Sequence, residues 1–347
     1  MRTIEQRTLR RSGLGVTSMG LGGSPLGNRA RPMREEDAEA LIEAAWSAGI
    51  RYFDTAPLYG HGLAEARLGH GLRWQSRDEY VISSKVGRVL RSAPRASIDY
   101  GPWAGGLPFT CHFDYSYDGT LRSFEDSLQR LGLERIDIVF IHDIDVFTHG
   151  VAGQKQAFEQ AMSGSYPALL RLRDEGVVKA IGVAVNEWEP CHAALVRGDF
   201  DCFLLAGRYT LLEQGALDCF LPLCLERNAA VVIGGGLNSG ILATGALPDA
   251  RHNYGPASPE IRDLVARIDA ICRQHHVPLP AVALQFVLAH PAVVTHIPGA
   301  RSVAQLQQNV DWASQSVPAE LWTELKSAGL LRPDAPVPTN LMPLGAS

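Results

Sequence analysis

Short apolar runs alternate with longer amphipathic runs along most of the chain. After an opening segment at 8–16, eight runs of strand length are rich in β-branched, aromatic and other apolar residues. They lie at 19–22, 52–54, 80–85, 136–142, 180–185, 203–205, 230–233 and 293–297. In the segments between them, apolar positions recur every three or four residues, as in amphipathic helices. Helices are predicted at 35–48, 64–72, 120–131, 158–175, 188–197, 216–227 and 259–275.

This alternation predicts a parallel sheet, because a parallel crossover needs a dozen or more residues and usually contains a helix. Eight strands in such a series favour closure into a barrel. We therefore expect an α/β fold, a (β/α)8 TIM barrel with an N-terminal β-hairpin and long βα loops. No linker marks a boundary, so residues 1–347 are expected to form a single domain.

Local signals support several element ends and single out two irregular segments. Gly49 and Gly176 follow helical patterns and suit the left-handed conformation that ends many helices. Asp118 is a predicted N-cap for the helix at 120–131. The segments 87–117 and 244–259 have no clean period. The first of them contains aromatic side chains that could form a lid, namely Trp103, Phe109 and Phe113.

Composition removes several classes of function. The formal net charge is −5 and no run of Lys or Arg occurs, which argues against binding to nucleic acid or to an anionic membrane. The six cysteines include no CxxC pair, so we expect free thiols and no metal site. Neither a signal peptide nor an apolar stretch of membrane-spanning length is visible, and the expected location is the cytoplasm.

The usual nucleotide-binding fingerprints are missing. The glycines at 13–15 precede no helix, and the glycine-rich run at 234–240 has the wrong spacing for a dinucleotide fold. The same run has Ile241 and Leu242 where a P-loop has Lys and Ser or Thr. A doubly wound dinucleotide-binding domain and a P-loop nucleotidase are therefore not supported.

Polar side chains follow four of the predicted strands. Asp54, Lys85, His142 and Asn186 each end or follow an apolar run, and Tyr59 lies in the loop after Asp54. Each alone is ambiguous, since a single charged residue at a strand end is usually a surface residue. Because the carboxyl ends of parallel barrel strands meet at one face, these side chains together predict an active site there.

Five blocks of the chain, in order, resemble the signature blocks of the aldo-keto reductase family. They are YFDTAPLYGHGLAEARLG at 52–69, VISSKVG at 81–87, SLQRLGLERIDIVFIHD at 127–143, GVVKAIGVAVNEW at 176–188 and THIPGARSVAQLQQNV at 295–310. The chain looks most like the branch of sugar and pyridoxal dehydrogenases, of the D-threo-aldose 1-dehydrogenase or L-fucose dehydrogenase type. The resemblance implies a barrel that binds an extended nicotinamide dinucleotide without a Rossmann domain.

The family's catalytic set falls on Asp54, Tyr59, Lys85 and His142. The resemblance implies that Tyr59 exchanges the proton and that His142 orients the substrate oxygen. A free tyrosine has a pKa of about 10, and a nearby lysine ammonium favours its phenolate form. Lys85 is therefore expected to tune Tyr59, while the carboxylate of Asp54 holds Lys85 in place.

The resemblance also implies a set of residues that bind NAD or NADP. Asn186 is expected to bind the nicotinamide carboxamide, and Tyr209 to stack on the nicotinamide ring. The seventh-strand loop is expected to cover the pyrophosphate, because glycine lets backbone approach phosphate closely. Its residues are Gly235, Leu237, Asn238 and Ser239.

The last block is expected to bind the adenosine end of the cofactor, with a helix that begins at Ser302. The residues concerned are Gly299, Ala300, Arg301, Ser302, Gln305, Gln308 and Asn309. Family members that prefer NADP often carry Lys at the position of Gly299 and Arg at that of Gln305, and this chain has neither. Arg301 is then the candidate partner for a 2′-phosphate, so the hypothesis is a preference for NAD or dual use.

The branch implies oxidation of the anomeric carbon of an aldose, such as L-fucose, L-galactose or D-arabinose, to the lactone. The alternatives are a pyridoxal 4-dehydrogenase, a general aldehyde or ketone reductase and a nicotinamide-binding regulatory subunit. A barrel hydrolase with Asp143 and Asp145 as paired acids is a weaker alternative, because two acids on one short segment do not straddle a bond. A small-molecule substrate is expected, and the sequence gives no expectation for the oligomeric state.

Overall fold

Eight parallel strands form the central sheet of the protein. The structure is a computed structural model, and it describes residues 4–338. The strands of this range are β1 (Gln6–Thr8), β2 (Gly15–Thr17), β3 (Leu21–Gly22), β4 (Tyr52–Asp54), β5 (Val81–Val86), β6 (Arg88–Ser92), β7 (Phe109–Phe113), β8 (Ile138–His142), β9 (Ala180–Val185), β10 (Cys202–Ala206), β11 (Ala230–Gly234), β12 (Arg251–His252), β13 (Gly255–Pro256) and β14 (Val293–Ile297). The central sheet runs β3, β4, β5, β8, β9, β10, β11 and β14, in chain order.

Hydrogen bonds between the first and last strands close the sheet into a barrel. Gly20 N donates to the carbonyl of His296 at 2.9 Å, and His296 N donates to the carbonyl of Ser18 at 3.1 Å. Parallel bridges at Met19 and Gly22 extend this contact. The predicted (β/α)8 barrel is thereby confirmed, with its eight strands in the predicted order.

The barrel strands are buried on both faces, which explains their nearly continuous apolar sequences. Tyr52, Phe140, Leu204 and Val232 are among the side chains that fill the interior. The predicted N-terminal hairpin is present as the antiparallel pair β1 and β2. Val16 of β2 and Leu9, which follows β1, pack on the interior cluster at one end of the barrel, so the opposite end is left for a site.

Helices cover the outside of the barrel. They are α1 (Glu35–Ser47), α2 (Leu63–Leu72), α3 (Tyr117–Leu131), α4 (Val146–Gln160), α5 (Tyr166–Asp174), α6 (Trp188–Arg197), α7 (Phe220–Glu226), α8 (Ile241–Thr244), α9 (Pro259–Gln274), α10 (Leu279–Leu288), α11 (Val303–Ser314) and α12 (Ala319–Ser327). Gly49 and Gly176 have positive φ angles, as predicted for residues that end helices. Among the described helices, none is long and apolar enough to cross a membrane.

Several predicted helix boundaries are wrong. The helix predicted at 158–175 begins earlier, as α4, and passes through a π-helical turn at 161–165 before α5. The N-cap of α3 is Ser116, whose hydroxyl accepts a hydrogen bond from Gly119 N at 3.0 Å, and not Asp118. The sequence did not predict α10, because this helix is buried on almost all sides and has no polar face.

Both irregular segments contain a hairpin. In the first, β6 and β7 pair antiparallel over five residues and carry the connection 93–108 across the carboxyl end of the barrel. In the second, β12 and β13 form a short hairpin at 251–256. We call the segment 251–256 the strap. Both segments are ordered connections at the barrel mouth, where loops that follow strands carry function in this architecture.

Candidate active site

A large cleft opens at the carboxyl ends of the barrel strands. It has a volume of about 1300 Å³, more than the roughly 300–1,000 Å³ of common small-molecule pockets. All eight barrel strands contribute to its wall through residues at or near their carboxyl ends. These residues include Gly22, Asp54, Lys85, His142, Val185, Ala206, Gly234 and Ile297.

An ion pair between Lys85 and Asp54 lies at the floor of the cleft. Lys85 Nζ donates to both carboxylate oxygens of Asp54, at 2.9 and 2.7 Å, and to the carbonyl of Thr55 at 2.8 Å. Both residues are almost completely buried. They meet because β4 and β5 are parallel neighbours whose alternate side chains point into the barrel.

Hydrogen bonds from the barrel interior fix the Asp54 carboxylate. The Ser83 hydroxyl donates to Asp54 Oδ1 at 2.7 Å, and the Tyr52 hydroxyl lies 2.9 Å from Ser83 Oγ. Burial raises the pKa of Asp54, whereas the adjacent ammonium of Lys85 opposes this rise. The chain of contacts holds Lys85 at one position above the barrel core.

Tyr59 and His142 lie above this ion pair. The ring of Tyr59 has the ammonium of Lys85 4.9 Å from its centroid and the ring of His142 6.1 Å away, edge to face. Trp103 packs on the other side of Tyr59, with 5.5 Å between ring centroids. The structure therefore brings the four predicted catalytic residues, Asp54, Tyr59, Lys85 and His142, together in one cleft.

Burial keeps Tyr59 and His142 neutral at rest. It raises the pKa of the Tyr59 hydroxyl well above its usual range, and the negative charges of Asp54 and Asp143 act in the same direction. It lowers the pKa of His142 well below its usual range, together with the positive charges of Arg88 and Lys85. The expected phenolate is thus not favoured in this structure, where the ammonium of Lys85 is engaged by Asp54 and Thr55.

A second ion pair lines the cleft beside His142. Arg88 Nη2 lies 2.7 Å from Asp143 Oδ2, and Asp143 Oδ1 lies 3.5 Å from His142 Nε2. The sequence identified Asp143 only as a possible hydrolase acid, and it gave no signal for Arg88. Asp145, the other acid of that hypothesis, instead caps α4 by accepting a hydrogen bond from Thr148 N at 3.0 Å. The two acids therefore do not form a catalytic pair.

Asn186 is held from two sides. Its backbone N donates to Asp145 Oδ2 at 2.7 Å, and its carboxamide oxygen accepts a hydrogen bond from the Tyr254 hydroxyl at 3.0 Å. The side chain lies at the end of β9 and lines the cleft, as predicted. Tyr254 belongs to the strap, so Asn186 connects the barrel wall to the segment that crosses its mouth.

The glycine-rich loop after β11 lines the cleft only in part. Gly235, Asn238 and Ser239 contribute to the wall, whereas Leu237 packs against the hydrophobic core. Asn238 Nδ2 donates to the carbonyl of Gly207 at 3.1 Å, and its buried Oδ1 has no hydrogen-bond partner. Buried polar atoms are rarely left unpaired, so this oxygen is suited to accept a hydrogen bond from a bound molecule.

The residues at 299–309 that were predicted to bind the adenosine end of the cofactor lie partly in the cleft and partly on the helix α11. Gly299 and Arg301 line the cleft. Ser302 caps α11 by accepting a hydrogen bond from Gln305 N, which confirms the predicted helix start. Gln305 Oε1 accepts a hydrogen bond from Arg301 N at 2.8 Å. The remaining three differ in burial: Ala300 and Asn309 are buried, and Gln308 is exposed.

The structure does not bring Tyr209 to the cleft. Its side chain is fully buried and packs on Phe286 at 5.3 Å and His290 at 5.8 Å between ring centroids. The chain turns at Gly207, which has a positive φ angle, so that Gly207 and Arg208 line the cleft instead. The predicted stacking role of Tyr209 is therefore corrected: it is a core residue.

The sequence missed several residues at the cleft mouth. Arg29 lies between two aromatic rings, with its guanidinium carbon 5.3 Å from the centroid of Trp103 and 4.9 Å from that of Tyr254. Arg208 donates a hydrogen bond to Asn253 of the strap. A sequence motif for NAD or NADP binding could not reveal these contacts, because the residues that make them are far apart in sequence.

The cleft fits an extended nicotinamide dinucleotide. Arginine side chains at its mouth supply positive charge in a protein whose net charge is −5. The unpartnered Oδ1 of Asn238 provides a hydrogen-bond acceptor for the bound cofactor. The glycines at 207 and 235 let the backbone approach the cofactor closely. Among the described residues, no group of three or more His, Cys, Asp or Glu side chains could hold a metal ion.

Comparison with known proteins gives the family. Residues 18–329 match the model of the Aldo/keto reductase family. Pyridoxal 4-dehydrogenase of Microbacterium luteolum is 45% identical, over 95% of this chain and 99% of its own. D-threo-aldose 1-dehydrogenase of a Pseudomonas species is 40% identical, over 92% and 96%. L-galactose dehydrogenase of Arabidopsis thaliana is 30% identical, over 95% and 92%.

Solved structures agree on the fold. The holo form of an aldo-keto reductase of Bacillus halodurans has a TM-score of 0.70 and 24% identity, over 97% of this chain and 99% of its own. Glycerol dehydrogenase of Gluconobacter oxydans has a TM-score of 0.72 and 20% identity, over 98% and 99%. With its barrel, its cleft and its match over residues 18–329, the chain belongs to the aldo/keto reductase family of NAD(P)-dependent oxidoreductases.

Proposed function

We propose that the protein is a dehydrogenase that oxidises the anomeric carbon of an aldose to a lactone, with NAD as the preferred hydride acceptor. The observation that carries this proposal is the cluster of Tyr59, His142 and the Lys85–Asp54 ion pair at the cleft floor. The 40% identity with a D-threo-aldose 1-dehydrogenase supports the substrate class. L-fucose, L-galactose and D-arabinose are the candidate sugars.

In this reaction the anomeric carbon loses a hydride to the nicotinamide and its hydroxyl loses a proton, which leaves the lactone carbonyl. Tyr59 acts as the base in its phenolate form, which arises when its own phenol proton passes to solvent and is favoured by the ammonium of Lys85. The phenolate then takes the proton of the sugar hydroxyl, and neutral His142 holds the reacting oxygen. Lys85 is a positioning residue, since it fixes charge below the Tyr59 ring and is itself fixed by Asp54. In the reverse direction, the protonated Tyr59 donates to a carbonyl oxygen.

Pyridoxal is the second candidate substrate. The 45% identity with a pyridoxal 4-dehydrogenase favours it. Pyridoxal can close to a cyclic hemiacetal, and oxidation of the hemiacetal carbon to a lactone needs the same proton and hydride transfers as an aldose. The aromatic ring of Trp103 in the cleft wall suits a pyridine ring as well as a sugar face.

The contacts of the last block support NAD over NADP. Gly299 and Gln305 carry no charge. The guanidinium of Arg301 donates to the backbone carbonyls of Arg29 and Arg31, so each of its terminal nitrogens already makes a hydrogen bond, while Nε has no partner. Charge-assisted contacts are what a 2′-phosphate would need, and the block supplies few. The remaining predicted cofactor residues that line the cleft are Asn186, Gly235, Asn238 and Ser239.

We also place the enzyme in the cytoplasm. All six cysteines are free thiols, and four of them are buried. Proteins of oxidising compartments commonly carry disulfides, whereas a reducing compartment keeps thiols free. Fractionation of cells that produce the protein would test this placement.

Replacing Tyr59 with Phe tests the proposed chemistry. We expect Tyr59→Phe to lower kcat for sugar oxidation by roughly 100- to 10,000-fold, the range for loss of a general acid or base. The dissociation constant for the dinucleotide, measured by fluorescence quenching, should change by no more than about threefold, since the ring is kept. The matched control is Tyr80→Phe, the same change at a buried tyrosine outside the cleft.

Two results would contradict the role of Tyr59. One is a Tyr59→Phe variant that oxidises sugars at the wild-type rate. The other is an equal loss of activity in Tyr80→Phe, which would point to a general packing defect. Wild-type protein that binds dinucleotide but turns over neither sugars nor pyridoxal would favour the regulatory alternative.

A further inference from the structure

The ion pair of Arg88 and Asp143 lies in the wall of the cleft, next to the residue proposed to hold the substrate oxygen. Asp143 directly follows His142, and its Oδ1 lies 3.5 Å from His142 Nε2. Its other oxygen lies 2.7 Å from Arg88 Nη2. Both side chains line the cleft and are about nine-tenths buried. The pair is therefore beside the place where the substrate must react.

The backbone at Asp143 is held in an unusual conformation. Its φ angle is +53°, which is uncommon for a residue other than glycine. The Tyr115 hydroxyl lies 2.9 and 2.8 Å from the carbonyl oxygens of His142 and Asp143. Asp143 N donates to the carbonyl of Ala184 on the neighbouring strand at 2.9 Å. Strained positions persist where the surroundings fix them, and they occur often at ligand sites.

A purely structural role does not account for the pair. Buried ion pairs contribute little to stability, and apolar side chains of similar volume often replace them without loss. The buried Nη1 of Arg88 has no hydrogen-bond partner. Arg88 also lies over the ring of Phe113, 4.4 Å from its centroid, so the guanidinium is fixed from a second side. One carboxylate oxygen is thus bound by Arg88, and the other lies toward His142.

We propose that Asp143 determines substrate specificity by accepting a hydrogen bond from a hydroxyl group on the carbon next to the reacting carbon. Arg88 acts as a positioning residue that orients the carboxylate. The inference rests on the proposed function, since it assumes that the reacting oxygen lies at His142. It names the substrate class more closely as 2-hydroxy aldehydes and their cyclic forms, which include the aldoses.

The proposal predicts discrimination by a single hydroxyl group. A site built to bind a substrate hydroxyl rejects the analogue that lacks it, because its buried polar group is then left unpaired. Lactaldehyde and propanal differ only by this hydroxyl, and the reverse reaction can reduce both. The wild-type enzyme is therefore expected to have a kcat/KM at least 100-fold higher for lactaldehyde.

The test compares wild type with Asp143→Asn. Asparagine keeps the shape and tolerates the positive φ angle, but it replaces an anionic acceptor with a weaker one. We expect kcat/KM for lactaldehyde to fall by 10- to 100-fold and that for propanal to change by no more than threefold. Equal losses for both aldehydes, or no loss for either, would overturn the proposal.

Two further variants guard against a folding defect. Asp201 is a buried acid outside the cleft, and its Oδ2 lies 3.0 Å from Arg173 Nη1. The control variant Asp201→Asn should leave the ratio of the two kcat/KM values unchanged. If Asp143→Asn leaves Arg88 unpaired and fails to fold, the double variant Arg88→Met/Asp143→Asn removes both charges. The double variant should lose the preference for lactaldehyde in the same way.

A binding measurement separates this proposal from the proposed function. Titration of L-fucose, L-galactose and D-arabinose into the protein without dinucleotide, followed by tryptophan fluorescence, measures binding in the absence of turnover. We expect sugar binding to weaken at least tenfold in Asp143→Asn. Binding that depends on Asp143 in a wild-type protein without turnover would support this proposal and contradict the proposed function. Equal sugar affinity in the two proteins would overturn this proposal even if oxidation occurs.

Discussion

At the scale of single residues, burial sets the charge of each polar group in the cleft. Lys85 and Asp54 are buried together and form an ion pair, whereas the half-buried Tyr59 and the buried His142 are neutral. A neutral imidazole can donate a hydrogen bond to a substrate oxygen without competing for its proton. The cleft floor therefore contains one fixed cation and two neutral groups that can face the substrate.

Two other buried histidines make the stability depend on pH. Burial lowers the pKa of His296 to about 3 and that of His290 to about 4. An unfolded histidine has a pKa near 6.5, so below this pH the unfolded chain binds protons that the native protein excludes. The stability they contribute is complete above about pH 6.5 and is lost as the pH falls toward 4.

Replacing His296 with Leu should flatten this dependence. Each buried histidine is expected to lower the free energy of unfolding by up to about 1.4 kcal/mol per pH unit between pH 6 and pH 4. Urea unfolding of His296→Leu should therefore show a slope smaller by that amount. The exposed His276 provides the control, as His276→Asn should keep the wild-type slope. Identical slopes for His296→Leu and wild type would contradict the buried neutral histidine.

At the scale of elements, two hairpins meet above the cleft. The connection 93–108 supplies Trp103 and the strap supplies Tyr254, and Arg29 lies between their rings. Tyr254 also packs on Phe147 at 5.5 Å and donates to the Asn186 carboxamide oxygen. The strap is short and its tyrosine is 41% exposed, so its position depends on these contacts and on the hydrogen bonds of Asn253 with Arg208 and of Tyr254 N with Ser239 Oγ.

Replacing Tyr254 with Ala should speed release of the dinucleotide. The substitution removes one hydrogen bond and one cation–π contact, together about 1–2 kcal/mol. Dissociation of NADH, followed by stopped-flow fluorescence, should therefore be about 5- to 30-fold faster. Tyr254→Phe keeps the ring and should increase the rate by no more than about fivefold. An unchanged rate in Tyr254→Ala would mean that the strap does not retain the cofactor.

The elements that the sequence predicted are those with a clear period. Each barrel strand is a short apolar run, and α3 and α9 have strong amphipathic patterns. The helix α10 was not predicted, because nearly all of its residues are buried and it lacks the polar face that marks an amphipathic helix. The hairpins at 88–113 and 251–256 were not predicted, because their strands are short or half-exposed and lie among turns.

The site was predictable where the barrel alone positions a side chain. Asp54, Lys85 and His142 end parallel strands, so their meeting follows from the fold. Tyr209 was placed wrongly because its orientation depends on a turn at Gly207, which the sequence does not reveal. Contacts between distant loops, such as that of Tyr254 with Asn186, depend on tertiary packing and carry no local signal.

At the scale of the whole molecule, the residues that fill the barrel core and the residues that form the site lie at different ends of the barrel. The N-terminal hairpin and the interior side chains fill one end, and the polar residues gather at the carboxyl ends of the strands. The cleft places the neutral Tyr59 and His142 beside an open volume of about 1300 Å³. Such a volume holds a dinucleotide and a small substrate together, as hydride transfer between them requires.

The most direct test of this account is the absorbance of reduced nicotinamide during incubation with candidate substrates. Purified protein would receive NAD or NADP with L-fucose, L-galactose, D-arabinose, pyridoxal or a simple aldehyde. We predict rapid reduction of NAD with at least one sugar, and a lower kcat/KM for NADP. Activity with pyridoxal alone would replace the sugar by the second candidate, and a kcat/KM for NADP at least tenfold above that for NAD would overturn the cofactor preference. No reduction with any substrate, in protein shown to bind the dinucleotide, would contradict the central claim.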